Sequence, residues 1–218
     1  MSCVQTLVVQ STKWTDFFAQ WAGIIMAGQT LSAFLSIVNG MPMAEALAWG
    51  FLPSIVFSIQ DLLNDRMVGE MGMGDAAKYM PPLVNLLLTA ALAGKIPGVD
   101  TDLAMKITVG WTGANGIFGY VATDKWMESW GGSGLTAVDK GMAKLMAQTM
   151  IGMAAYVGSA AFGGKSALES FGVMMGAYAA MSIDGSYISK TMEAMGVDPN
   201  KALFWTIIQL VTVGAIFF

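Results

Sequence analysis

Histidine is absent from the 218-residue sequence, and cysteine occurs only once, at Cys3. The absence of histidine removes the commonest general base, the commonest transition-metal ligand and the usual pH switch. A single cysteine excludes an intrachain disulfide. Because the Ser-His-Asp, Cys-His, HExxH and CxxC patterns all need these residues, the sequence predicts a protein without an enzyme active site.

Charged residues are also scarce, at 12% of the chain, against about 25% in an ordinary soluble domain. Hydrophobic residues make up 55%, and the net charge is −4. A negative net charge provides no basic field for nucleic acid, so nucleic-acid partners are excluded. The composition predicts an integral membrane protein whose partners are membrane lipids and other membrane protein subunits.

The apolar residues form continuous runs, which are typical of membrane helices, whereas barrel strands alternate apolar and polar residues. The 26 Gly and six Pro residues are tolerated inside such helices. We therefore predict an all-α, polytopic transmembrane bundle of about seven spans. The predicted spans are 17–38, 46–63, 80–94, 103–122, 142–161, 167–183 and 201–218. The third is the shortest, and Pro81 and Pro82 there fit the first turn of a helix.

The connections after the second, fourth and sixth spans resemble one another. In each, a basic residue stands six positions before a glycine that follows Met or Trp. The pairs are Arg66 and Gly72, Lys125 and Gly131, and Lys190 and Gly196. This self-similarity predicts three helix–loop–helix repeats after one extra helix, within a single transmembrane domain. The extra span covers 1–42, and the repeats cover 43–100, 101–163 and 164–218.

Basic residues in short loops mark the cytoplasm-like side of a membrane. In the predicted topology only Lys95, Lys106 and Lys165 fall on the side opposite the N-terminus. We therefore expect the N-terminus on the cytosolic, stromal or matrix side, with a thylakoid or mitochondrial inner membrane as candidate locations.

The longer connections also contain Met67, Met71, Trp126 and Trp130 among charged residues. This mixture is typical of a short amphipathic helix at the membrane interface. Tryptophan is enriched at that depth, so we expect Trp126 and Trp130 to be interfacial anchors.

Four amides recur about two turns into the odd-numbered spans. They are Gln20, Asn85, Gln148 and Gln209. Interhelical hydrogen bonding is the first interpretation of buried amides. Two alternatives are a ring around a permeation path and ligation of the magnesium of a chlorophyll-type pigment, since oxygen donors suit magnesium.

Glycines recur at helical spacing on two predicted spans. They are Gly110, Gly113, Gly116, Gly172 and Gly176. Small residues let helix backbones approach closely in lipid, so close helix packing is expected. A narrow pore or a slot for a flat cofactor is the alternative.

Three methionines, Met142, Met146 and Met150, are spaced by four residues. Their MxxxM spacing resembles that of copper permeases of the Ctr type, and the resemblance covers this short stretch only. It implies a Cu(I) site, since thioethers are soft ligands. The interpretation from the residues alone is that methionine fills irregular gaps between helices.

These patterns lead to two functional hypotheses. The first is a structural or accessory subunit of a large photosynthetic or respiratory membrane assembly, in contact with chlorophyll-type pigment, carotenoid or lipid. The second is a channel or facilitator for a small solute or cation, with a copper permease as a minor variant.

Overall fold

The computed structural model describes residues 12–218, so Cys3 lies outside the described residues. Within this range the chain is helical, with no β-strand. The helices are Lys13–Ile37 (α1), Met43–Leu63 (α2), Asp75–Leu92 (α3), Thr101–Val121 (α4), Thr123–Ser129 (α5), Ala137–Gly163 (α6), Ala167–Ile183 (α7), Thr191–Ala194 (α8) and Pro199–Phe217 (α9). Two π-helical turns, Arg66–Glu70 and Asp184–Ile188, follow α2 and α7.

Three of the described helices, α2, α6 and α9, are long and apolar enough to cross a membrane. The predicted class, a helical membrane protein, is confirmed at this level.

Helix α3 begins earlier than the sequence predicts. It starts at Asp75, after Gly74 in extended conformation, so Pro81 and Pro82 lie inside the helix. The expectation that these prolines open the helix is wrong. The preceding residues Asp75–Met80 supply a first turn and a half that the apolar pattern did not reveal.

Helices α1 and α6 form the centre of the bundle. Helix α1 packs on α2, α6 and α7, while α6 packs on α4, α1 and α7. Helix α3 lies against α2, and α9 lies against α7 at the periphery. The arrangement leaves α3 with few contacts to α4.

The closest helix crossing joins α1 to α2. A Cβ atom added to Gly28 would lie 2.2 Å from the carbonyl oxygen of Gly50. Only glycine permits this approach, because the backbone atoms opposite cannot rotate away as a side chain can. Neither residue belongs to the predicted glycine rows.

Two glycines of the predicted rows do lie at close approaches. A Cβ atom on Gly116 would lie 2.9 Å from the backbone nitrogen of Ile151, where α4 meets α6. A Cβ atom on Gly172 would lie 2.6 Å from the Phe217 ring, where α7 meets α9.

The other glycines of the rows are less constrained. A Cβ atom on Gly113 or Gly176 would meet its nearest neighbour at 3.5 or 3.9 Å, which is ordinary van der Waals contact. Gly110 is exposed, and nothing lies within 4 Å of its Cβ position. Gly110 therefore packs against no other described helix, because this side of α4 faces outward.

The N-terminus of α1 and the three longer connections meet at one end of the bundle. The Thr15 hydroxyl donates a hydrogen bond of 2.6 Å to Asp139 at the start of α6. A Cβ atom on Gly131 would lie 3.1 Å from the Gly72 carbonyl oxygen, and Gly141 lies against Met195. We call this the basic end, because eight of the 11 Lys and Arg residues are located there, although 11 of the 15 Asp and Glu residues are located there too.

Candidate functional site

The first turns of α1 bring four aromatic side chains into the bundle near the basic end. Trp14, Phe17, Phe18 and Trp21 are buried. The Trp14 and Phe18 rings stack with centroids 5.7 Å apart. Thr12 caps the helix by accepting hydrogen bonds from two backbone N–H groups of the first turn. The cap and the aromatic packing together fix where α1 begins.

The connections at the basic end cover these rings with further large side chains. The complete methionine–aromatic cluster comprises Trp14, Phe17, Phe18, Trp21, Met67, Met71, Met73, Ala77, Trp126, Met127 and Ala143. Methionine suits such a site because its unbranched chain adapts to irregular surfaces between rings.

Trp126 corrects an expectation from the sequence. It is only 2% exposed, and its ring lies 5.9 Å from that of Phe18. Gly119 makes room for it, since a Cβ atom there would lie 3.1 Å from the indole. Trp126 is therefore part of the cluster and not an interfacial anchor, because α5 turns this side chain inward over α1.

A cavity of about 100 Å³ lies beside the cluster, enclosed by α1, α2, α3, α4 and α6. Its walls are almost entirely apolar. The large lining side chains are Met67, Met73, Met80, Met146, Met150, Met153, Trp21, Trp111, Trp126, Trp130, Phe17, Phe18 and Phe51.

A few polar groups also line the cavity. The Thr112 hydroxyl and the Asn115 amide donate to carbonyl oxygens of their own helix, at 2.7 and 2.9 Å. The Trp126 indole N–H is buried and has no acceptor among the described residues.

A groove on the outside of the bundle adjoins the cavity. Met80, Trp111, Asn115, Trp126 and Trp130 line both the cavity and this groove. The groove runs between α3 and α4, the neighbouring helices that make few contacts. The cavity therefore lies directly behind this groove.

The opposite half of the bundle has a buried core of its own. We call its buried residues the small-residue core: Ala33, Ala44, Leu47, Ala48, Phe51, Leu88, Ala91, Leu92, Ala104, Met153, Tyr156, Val157 and Met174. Leu47, Tyr156 and Val157 are 0% exposed. The cavity ends where this core begins, at Phe51 and Met153, which belong to both.

The four predicted amides lie in separate places. Asn85 lines the cavity. Gln20 accepts a 2.6 Å hydrogen bond from Arg66 at the basic end. Gln209 accepts one of 3.5 Å from the Ser182 hydroxyl, between α9 and α7, and Gln148 is buried within α6.

A fifth amide, Gln29, was not selected from the sequence and is 2% exposed. Its Nε2 donates to the Thr149 carbonyl oxygen at 2.6 Å, and its Oε1 accepts from the Tyr178 hydroxyl. This network joins α1, α6 and α7. The only available signal was a lone glutamine inside an apolar run.

The methionine row of α6 faces the methionine–aromatic cluster and the cavity. Met146 and Met150 line the cavity, and Met142 packs against the cluster. In the part of the chain that the structure describes, no three His, Cys, Asp or Glu side chains come together as a possible metal site.

No protein-family model, curated protein or solved structure matches this chain.

Proposed function

We propose that this chain is a non-catalytic, multi-spanning accessory subunit of a larger photosynthetic or respiratory membrane assembly, and that it holds a membrane-derived apolar ligand in its cavity. One observation carries the proposal: the apolar cavity lies directly behind a groove on the outside of the bundle between α3 and α4, with which it shares five lining residues. In a bilayer, a groove between two spanning helices faces the lipid, where such ligands are dissolved.

The cavity walls indicate the class of ligand. Methionine and aromatic side chains offer van der Waals contact to an apolar chain. A volume of about 100 Å³ suits part of an apolar chain better than a wide macrocycle. We therefore favour an acyl lipid or a carotenoid over a chlorophyll-type pigment.

Seven spans remain part of this proposal. Besides the three apolar helices, α1, α3 and α4 have 25, 18 and 21 residues, and about twenty are needed to cross a bilayer. Helix α7 and the π-helical turn Asp184–Ile188 follow without a break, which extends that segment toward the same length. Exposed side chains such as Leu86, Ile107 and Phe34 lie on these additional helices, and lipid would cover them.

The proposed repeats have support in the geometry of their connections. Gly72, Gly131 and Gly196 all adopt positive φ, between 72° and 88°. After α5 and α8 the chain forms the same two hydrogen bonds, in which the glycine N–H bonds three residues back and the next N–H five residues back. This is the Schellman pattern that ends helices.

In the first of these connections, each of the two hydrogen bonds spans one residue more. The Gly72 N–H bonds to Val68 four residues back, and the Met73 N–H bonds to Met67 six residues back. The π-helical turn accounts for this wider spacing, so a common origin of the three connections is compatible with the difference.

The outward face of α4 is the surface that we propose for a partner helix. Gly110 and Ala114 are exposed and lie four residues apart, which is the small-xxx-small spacing that allows close contact between membrane helices. A larger residue in place of Gly110 adds volume only on the outside of this chain, since nothing lies within 4 Å of the Gly110 Cβ position.

The experiment is solubilisation from the native membrane in mild detergent, followed by size separation, an absorption spectrum and mass spectrometry. We expect the wild-type chain to comigrate with other subunits and with a lipid or carotenoid. Gly110→Leu should release it from the assembly without changing its thermal midpoint. Gly23→Leu, which adds the same volume on the open side of α1, is the matched control. A wild-type chain that migrates alone and without ligand contradicts the proposal.

The channel or facilitator hypothesis is the second candidate. A path from one end of the bundle to the other would have to pass the small-residue core, and the burial of Leu47, Tyr156 and Val157 weighs against it. The test is solute flux in proteoliposomes. Flux by the wild-type chain that changes in Gln148→Leu would support the channel hypothesis.

A further inference from the structure

The basic end has a second concave surface, separate from the cavity. It lies between the start of α6, the end of α4 and the connection from α7 to α9, and its volume is about 580 Å³. We call it the basic groove; its polar and charged lining residues are Thr123, Asp124, Lys125, Lys140, Lys144, Ser189 and Thr191.

The three lysines of the basic groove differ in whether a carboxylate forms an ion pair with them. Lys140 forms an ion pair of 2.9 Å with Asp124. Lys125 and Lys144 have no carboxylate within ion-pair distance among residues 12–218. Lys125 is exposed, whereas Lys144 is half-buried. The groove therefore holds more positive than negative charge.

Lys144 has spare hydrogen-bonding capacity. Its ammonium group donates to the Thr191 hydroxyl at 3.4 Å and lies 5.7 Å from the centre of the Tyr120 ring. An ammonium group has three N–H donors. Lys144 lies about 10 Å along α6 from the helix start, at the inner part of the groove.

Apolar side chains border the lysines. Val121 lines the groove and is 79% exposed. Ile188, directly before Ser189, is 74% exposed, and Tyr187 is 48% exposed. A free anion would contact only the lysines. A lipid would contact the lysines with its headgroup and the apolar residues with the start of its acyl chains.

The geometry points to a binding site for the phosphate of an anionic membrane lipid in the basic groove. Lys144 and Lys125 contact the phosphate, and Val121 and Ile188 contact the first part of the acyl chains. Basic residues at a membrane surface attract anionic lipids in this way. The site depends on membrane insertion but not on the cavity or on any ligand in it.

The test is native mass spectrometry of the purified full chain in detergent, with phosphatidylglycerol, phosphatidylcholine or inorganic phosphate added. We expect phosphatidylglycerol to be retained more strongly than phosphatidylcholine. Lys144→Gln should lower its apparent affinity about fivefold, the effect of one lysine near an anionic surface. Lys125→Gln should act in the same direction, and because Lys125 is exposed, its substitution does not threaten folding.

Lys95→Gln is the matched control, since Lys95 is an exposed lysine at the opposite end that also has no described ion pair. Retention of phosphatidylglycerol should be unchanged in this variant. An equal loss in Lys95→Gln would show non-specific attraction and overturn the proposal. Equal retention of the two lipids, or competition by inorganic phosphate at similar concentration, would overturn it as well.

Discussion

The two halves of the bundle are built from different side chains and pack differently. The small-residue core contains five alanines among its 13 buried residues, and a surface concavity of about 510 Å³ lies on its outer side between α2 and α3. The methionine–aromatic cluster contains rings and thioethers, and a cavity of about 100 Å³ lies beside it. Small residues allow helices to approach until their backbones touch, whereas large side chains hold them apart. The difference indicates that one half stabilises the fold and the other provides the space for a ligand.

The glycine crossing lies beside the cavity. Gly28 and Gly50 bring α1 and α2 into contact, and Gly50 also lines the cavity, while the Trp14 and Phe18 rings, nearer the start of α1, belong to the methionine–aromatic cluster. The predictions that follow test the contrast between the halves, in order of decreasing expected effect.

Gly28→Leu should have the largest effect on stability. The added Cβ would lie 2.2 Å from the Gly50 carbonyl oxygen, and backbone cannot move aside without separating α1 from α2. We expect a loss of about 3 kcal/mol or more, measured as a lower thermal midpoint in detergent. Gly23→Leu, with nothing within 4 Å of its Cβ position, should retain the wild-type midpoint. If Gly28→Leu and Gly23→Leu had equal thermal midpoints, the close contact between α1 and α2 at Gly28 would be excluded.

A pair of truncations compares the halves directly. Leu47 is 0% exposed in the small-residue core, so Leu47→Ala should cost about 2 kcal/mol through lost contacts and a new cavity. Met150 already borders a cavity, so Met150→Ala should cost less than about 1 kcal/mol. Denaturant titration in mixed micelles measures both. A larger loss at Met150 would reverse the proposed division between the halves.

The buried Gln29 network should have an intermediate effect. Gln29→Leu removes the acceptor of the Tyr178 hydroxyl and the donor to the Thr149 carbonyl, which should cost about 1–2 kcal/mol. A double-mutant cycle with Tyr178→Phe should show coupling between the two side chains. Gln209→Leu, which loses only a 3.5 Å contact, is the control. Additive effects in the cycle would argue against the network.

Much of the helical content was predictable from the sequence, because long apolar runs with few charges identify membrane helices by composition alone. The predicted second span, 46–63, ends at the same residue as α2, and the predicted sixth, 167–183, coincides with α7. The start of α3 was not predictable in this way. The residues from Asp75 to Met80 lie outside the apolar run, and the two prolines that follow were interpreted as a helix start.

The candidate site was predictable only in part. Asn85, Met146 and Met150 were selected from spacing, and they do line the cavity. Trp126 and Gln29 were missed as buried residues because a membrane helix bundle has apolar residues on its outer faces too, so periodicity does not tell which face is inside. A tryptophan beside charged residues has the same sequence pattern whether it anchors at the interface or turns inward.

The most direct test of the proposed ligand site is to fill the cavity and measure what the purified protein retains. Val84 lines the cavity, and Leu86 on the same helix is 55% exposed. Mass spectrometry of organic extracts should detect a lipid or carotenoid with the wild type and with Leu86→Trp, and about tenfold less with Val84→Trp, which corresponds to about 1.4 kcal/mol of binding free energy. The thermal midpoints of both variants serve as the folding control. Retention of the same ligand at the same stoichiometry by folded Val84→Trp would contradict the account.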